Sequence, residues 1–166
     1  MKLIHLADLH LGKRVNEFSL LEDQDYILKE ILSIIDSAKA DGVIIAGDVY
    51  DKSLPNTEAV TLFDDFLVSL ASRKLPVFII AGNHDSPERL AFGNRLIDLS
   101  GIHISSVFDG KVKDYQLNDE EGPINIYLLP FIKPANVRAI YQDEKIESYD
   151  DALKVVIKNI DLDKTQ

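Results

Sequence analysis

Asp8, His10, Asp48, Asn83 and His84 offer carboxylate, imidazole and amide donors, the set that suits a hard-to-borderline divalent metal. They fall in three short motifs: Asp8-Leu9-His10-Leu11-Gly12, Gly47-Asp48-Val49-Tyr50-Asp51 and Gly82-Asn83-His84-Asp85. An apolar run of strand length precedes each one: Leu3-Ile4-His5-Leu6-Ala7, Val43-Ile44-Ile45-Ala46 and Val77-Phe78-Ile79-Ile80-Ala81. The donors therefore gather at the carboxyl ends of neighbouring strands, the edge where open α/β sheets bind ligands. A metal held there suits chemistry at phosphate. Alone, each motif is an ordinary polar turn. All three in this order, each after a strand, specify a site.

Helical periods link the strands. Residues 22–40 place Ile27, Leu28, Ile31, Leu32, Ile34 and Ile35 at helix spacing, with Gly42 just beyond. A second helix spans 57–72 after Pro55-Asn56, and a third spans 87–99 with Ser86 as its cap and Pro87 at its first position. After Gly101 the rhythm changes. Residues 102–108 read as a strand, Asp109-Gly110 as a hairpin turn and 111–117 as the returning strand, followed by a polar loop at 118–123 and a strand at 124–129. Short helices are expected at 135–141 and 149–160. The pattern predicts an α/β domain of two packed sheets with helices outside.

The chain has 166 residues, 46% of them hydrophobic, enough for one domain with its own core over 1–166. It has no cysteine, which excludes disulfides and thiolate metal sites. No apolar stretch approaches a membrane span, and the start reads as a first strand, so a cytoplasmic protein with no membrane contact is expected. A net charge of −10 argues against nucleic-acid binding by the whole surface, but a bound cation reverses the sign locally. Lys13, Arg14, Lys52, Arg89 and Arg95 lie in or soon after the motif loops, either as solvated charges or as local contacts for an anion.

The three motifs resemble those of the calcineurin-like metallophosphoesterases. The longer strings narrow the likeness: Asp8-Leu-His-Leu-Gly-Lys13, Gly47-Asp-Val-Tyr-Asp-Lys-Ser-Leu-Pro-Asn56 and Gly82-Asn-His-Asp-Ser-Pro-Glu-Arg-Leu90 are similar to the SbcD-type nucleases, relatives of the Mre-type DNA-repair nucleases. The resemblance implies a four-layered αββα sandwich with mixed sheets. It implies two divalent ions, with manganese the best fit and iron or zinc open, that activate water for in-line attack on phosphorus. Asp8 and His10 would hold the first ion, Asp48 would bridge both and Asn83 would join the second. His84 would be catalytic, acting on the phosphate or the departing oxygen. Asp51 would steady that imidazole or remain a plain loop carboxylate, and Asp85 would cap a turn or the next helix. His5 and His103 read as structural. The implied substrate is DNA, cut endo- and exonucleolytically in repair and hairpin processing. The implied partners are an SbcC-type ATPase and a second copy of the chain, joined through helices 57–72 and 87–99.

The family completes its site with three later histidines, and this chain has none after His103. A C-terminally truncated domain is expected, inactive alone and holding at most one ion well. Two other readings compete: a phosphoesterase for small phosphodiesters or phosphoproteins, and a metal-poor binding scaffold. The strings at 11–13 and 86–89 speak against the first, and the intact early site residues against the second.

Overall fold

The fold was analysed in a computed structural model that describes residues 1–91 and 97–160. Strand β1 (Leu3–Leu6) leads through a two-stranded ribbon, β2 (Arg14–Val15) and β3 (Phe18–Ser19), into helix α1 (Leu21–Ala38). Strand β4 (Gly42–Ala46), helix α2 (Thr57–Ser72) and strand β5 (Val77–Ile80) follow. Next come the short α3 (Pro87–Leu90), a 3-10 turn at Asp98–Ser100 and β6 (Ile102–Ser105). The chain then forms β7 (Lys113–Asp119), β8 (Gly122–Leu128), α4 (Pro134–Ile140) and α5 (Tyr149–Lys158).

Strands β1, β4, β5 and β6 form a parallel sheet in the order β1-β4-β5-β6. Its register pairs Leu3 with Gly42, Val43 with Val77 and Val77 with Ile102. All three motifs therefore leave the sheet at one edge. On one face Val43, Ile45, Val77, Ile79, Ile102 and Ile104 pack under α1 and α2, which bury Leu28, Ile35, Phe63, Phe66 and Leu70. A fully buried side chain of this size contributes roughly 1.5–3 kcal/mol, so this layer makes a firm base for the loops. On the other face Phe78 stacks on His103, and His103 lies 4.1 Å from the Tyr115 ring of β7. The β7–β8 ribbon thus begins a second β layer, and α4 and α5 close a smaller core around Val137, Ile146 and Val156. This is the α/β class expected, with a parallel central sheet. None of the described helices is long and apolar enough to cross a membrane.

Three expectations change. Residues 102–105 do not start a hairpin at Asp109-Gly110: Ile102 and Ile104 are drawn into the helix-covered core, and the strand pairs in parallel with β5. The hairpin turn lies instead at Glu120-Glu121, and the expected polar loop forms part of the ladder, with Asn118 opposite Pro123. Both strands were expected, but the turn that joins them is two glutamates in a charged run, with none of the usual hairpin-turn dipeptides to announce it. The helix expected at 87–99 is described as α3 at its start, with 92–96 outside the described residues. There Ser86 occupies the cap position, but its hydroxyl donates to Glu88. Finally, of the helices expected to join two copies, Phe63, Phe66 and Leu67 on α2 and Leu90 on α3 belong to the core, and the exposed large apolar side chains on α2 are Val60 and Val68, with Leu62 half-buried.

Candidate metal centre

The β1 and β4 loops continue the parallel pairing beyond the strands. His10 N–H donates to Asp48 O at 2.9 Å, Leu11 N–H to Val49 O at 2.9 Å and Asp51 N–H to Leu11 O at 3.1 Å. Within this zipper Asp8 (φ 56°), His10 (φ 45°) and Asp48 (φ 50°) take left-handed backbone conformations. Asp and His are among the residue types that enter that region most readily, yet each position costs of order 1 kcal/mol or more. Three such residues at one strand edge turn their side chains out of the pleat and towards one another.

The result is a compact donor set. Ligand atoms of Asp8, His10 and Asp48 all lie within 4.8 Å of one another. His10 Nε2 is 3.7 Å from Asp8 Oδ1 and 4.0 Å from Asp48 Oδ2, too long for hydrogen bonds. Two ligands each about 2.0–2.2 Å from one ion stand roughly 3–4.4 Å apart, so the spacing fits a shared divalent cation better than direct contact. Asp48 and His10 are mostly buried, with 12% and 19% of their side chains exposed, whereas Asp8 is open at 71%. One wall of the site is therefore fixed and the other faces solvent.

The third loop is pressed into the second. Asp48 Oδ1 accepts the backbone N–H of His84 at 3.0 Å. A Cβ on Gly82 would stand 2.1 Å from that same Oδ1, so only glycine allows the approach. The His84 ring meets the His10 ring edge-on at a centroid distance of 5.0 Å. Its Nδ1 lies 3.2 Å from the backbone carbonyl of Asp51, and Ser53 Oγ donates to the His84 carbonyl at 2.8 Å. A carbonyl can only accept, so Nδ1 carries the proton and the ring's Nε2 is left for solvent or substrate. Asn83 lies exposed beside it, in the same turn. The Asp51 carboxylate does not face His84; it lies 3.8 Å from His10 Nδ1.

The family model for the calcineurin-like phosphoesterases matches residues 1–157. The chain belongs to that family. The D subunit of the SbcCD nuclease from Staphylococcus epidermidis is 34% identical over 166 residues, covering 96% of this chain and 42% of the relative. The protein of the same description from Staphylococcus saprophyticus is 36% identical over 163 residues, covering 95% and 41%. The chain thus spans about two fifths of the length of these curated relatives. Family members use divalent metals, and the Asp8–His10–Asp48 cluster is where this chain can hold one.

Two residues tie the ligand loops together in ways the sequence did not signal. Gln24, on α1, accepts from Gly12 N–H at 3.0 Å and donates to the carbonyls of Leu9 (3.2 Å) and His10 (2.8 Å). It sat on the polar side of a helical period, with nothing to connect it to a loop twelve residues earlier. Asp85, expected to cap a turn, does accept from Gly82 N–H at 2.9 Å, but it also reaches across to Val49 and Tyr50.

Proposed function

We propose that this chain carries the metal-holding part of an SbcD-type nuclease, which hydrolyses DNA phosphodiester bonds endo- and exonucleolytically in repair and hairpin processing, with an SbcC-type ATPase as its partner. The observation that carries this reading is the convergence of Asp8, His10 and Asp48 within 4.8 Å, with the His84 ring edge-on to His10. A divalent cation, with manganese the best match to an oxygen-rich donor set, supplies Lewis acidity at phosphate oxygens and lowers the pKa of water. Asp8, His10 and Asp48 would hold the first ion, and Asp48 and Asn83 would offer oxygens to a second. His84, donating through Nδ1 to the Asp51 carbonyl, presents Nε2 to the departing oxygen and can pass it a proton when the ring is cationic. Arg14 and Lys52 line a cleft of about 250 Å³ that Asp51 also lines, two cations placed for a DNA backbone on an otherwise acidic chain. The likeness to the SbcCD nucleases favours DNA over small phosphodiesters.

The test is a pair of substitutions in a protein of the relatives' full length. His84→Ala should lower cleavage of linear and hairpin DNA by about 100-fold or more, while Mn²⁺ affinity by calorimetry stays within a few-fold. Asp48→Ala should remove the metal first. Loss of metal in the His84 variant would overturn the assignment. The reading includes a homodimer, now resting on Val60 and Val68 of α2 and on Leu99, which is 85% exposed. Light scattering should show a dimer that Val68→Asp weakens, and a monomer at high concentration would exclude it.

A further inference from the structure

Asp85 is a carboxylate in an unusual place, 5% exposed and bonded to backbone amides of two different loops. Its Oδ2 accepts from Val49 N–H at 3.2 Å and from Gly82 N–H at 2.9 Å, and its Oδ1 accepts from Tyr50 N–H at 3.0 Å. Val49 and Tyr50 directly follow Asp48, and Gly82 directly precedes Asn83 and His84. A reciprocal bond runs the other way, from His84 N–H to Asp48 Oδ1 at 3.0 Å. The β4 and β5 loops are thus tied twice, once by the side chain of each. Gly82 lets them close, since any Cβ there would collide with Asp48.

The arrangement does more than satisfy a turn. A turn would be served by Gly82 N–H alone, within the Asp85 loop. The other two amides belong to the loop that carries Asp48, which is left-handed at φ 50° and stays so only while its neighbours hold it. An ionised carboxylate accepts from several amides at once, whereas an amide side chain has one oxygen and one NH2 group.

We infer that Asp85 is a positioning residue for the metal centre: by binding Val49, Tyr50 and Gly82 it fixes Asp48 against the Asn83-His84 turn, so that ligand and catalytic loops meet the ion in one geometry. This rests on reading Asp8, His10 and Asp48 as metal ligands. Asp85→Asn keeps shape and volume but takes the acceptor from one side of the clamp and turns an NH2 group towards a backbone N–H. The clamp acts on a ligand without touching the ion, so its loss should weaken Mn²⁺ binding by about 10–100-fold.

Mn²⁺ titration by calorimetry on the wild-type chain, Asp85→Asn and Val156→Ala tests this. Val156 lies in the distant core around Ile146, and its truncation lowers thermal stability without touching the site. The inference expects weakened Mn²⁺ binding in Asp85→Asn and wild-type binding in Val156→Ala. Equal losses in both would make Asp85 a merely stabilising residue, and wild-type affinity in Asp85→Asn would overturn the inference alone. No Mn²⁺ binding by the wild-type chain would overturn the ligand reading and this inference together. Should Asp85→Asn fail to fold, hydrogen exchange on the wild type decides. Saturating Mn²⁺ should slow exchange of the Val49, Tyr50 and Gly82 amides more than that of amides in α5, because an ion that prefers the clamped loops stabilises them. Equal slowing in both places would reject the clamp.

Discussion

His10 Nδ1 is buried without a hydrogen-bond partner among the described residues, and the carboxylate nearest to it is that of Asp51, 3.8 Å away. A histidine that ligates metal through one nitrogen is commonly oriented through the other by a carboxylate. Asp51 is poised for that task at His10, while only its backbone carbonyl serves His84. Asp51→Ala should therefore weaken Mn²⁺ binding by about 10–100-fold, as calorimetry would read. If, in a protein of the relatives' full length, the variant bound Mn²⁺ normally and lost only turnover, the carboxylate would be acting on His84 instead.

Gln24 is the tie between α1 and the first ligand loop. Its amide satisfies Gly12 N–H and the Leu9 and His10 carbonyls at once. Gln24→Ala strands Gly12 N–H and the Leu9 carbonyl, while the His10 carbonyl keeps Lys13 N–H at 3.1 Å, and should cost about 1–3 kcal/mol in chemical denaturation. It should also loosen His10, held at φ 45° next to those bonds, and lower Mn²⁺ affinity. A stability loss with unchanged affinity would mean that the loop keeps its shape without the helix.

The candidate site was legible because its donors are encoded locally. Each motif sits at the end of an apolar strand, and apolar runs, helical period and the flanking breakers place those strands and helices α1 and α2 within two residues. The clamps were illegible because they are tertiary. Asp85 is three residues from Gly82 but thirty-five from Tyr50, and only the β4–β5 pairing brings that amide to it. The false hairpin at Asp109-Gly110 shows the opposite failure. A strong local turn signal lost to the burial of Ile102 and Ile104 beside β5, a long-range gain no dipeptide reports. The β2–β3 ribbon, two residues a side, is too short for alternation to announce.

Tyr50 links the clamp to pH. Burial, with the Asp85 and Asp64 carboxylates nearby, pushes its phenol up from 10.0 to about 12. Because the folded state holds the proton more tightly than the unfolded chain, this contribution to stability is complete below about pH 10 and is lost as pH rises towards 12. The absorbance of tyrosinate at 295 nm should show a late component near pH 12 that Tyr50→Phe removes, and the variant should keep more of its stability between pH 10 and 12. Titration of every tyrosine near pH 10 in the folded protein would contradict the buried phenol.

The last prediction concerns stoichiometry. Asp8, His10 and Asp48 supply three donors for one ion, but among the described residues of the three motifs the reading leaves a second ion Asp48 and the exposed Asn83. One Asp48 oxygen already accepts the His84 N–H. The later histidine, His103, is bonded to Asp98 at 2.5 Å and pairs in register with Phe78, four residues before Gly82. That places it roughly 13 Å back along the sheet from the site. Two oxygens on a solvent-facing edge hold a labile divalent ion weakly, because each bond competes with water. Elemental analysis of the 166-residue chain dialysed against Mn²⁺ should therefore find no more than one ion per chain, and this chain alone should not cleave DNA. Two tightly held ions, or robust Mn²⁺-dependent cleavage, would mean that another residue, of this chain or of a second copy, completes the site.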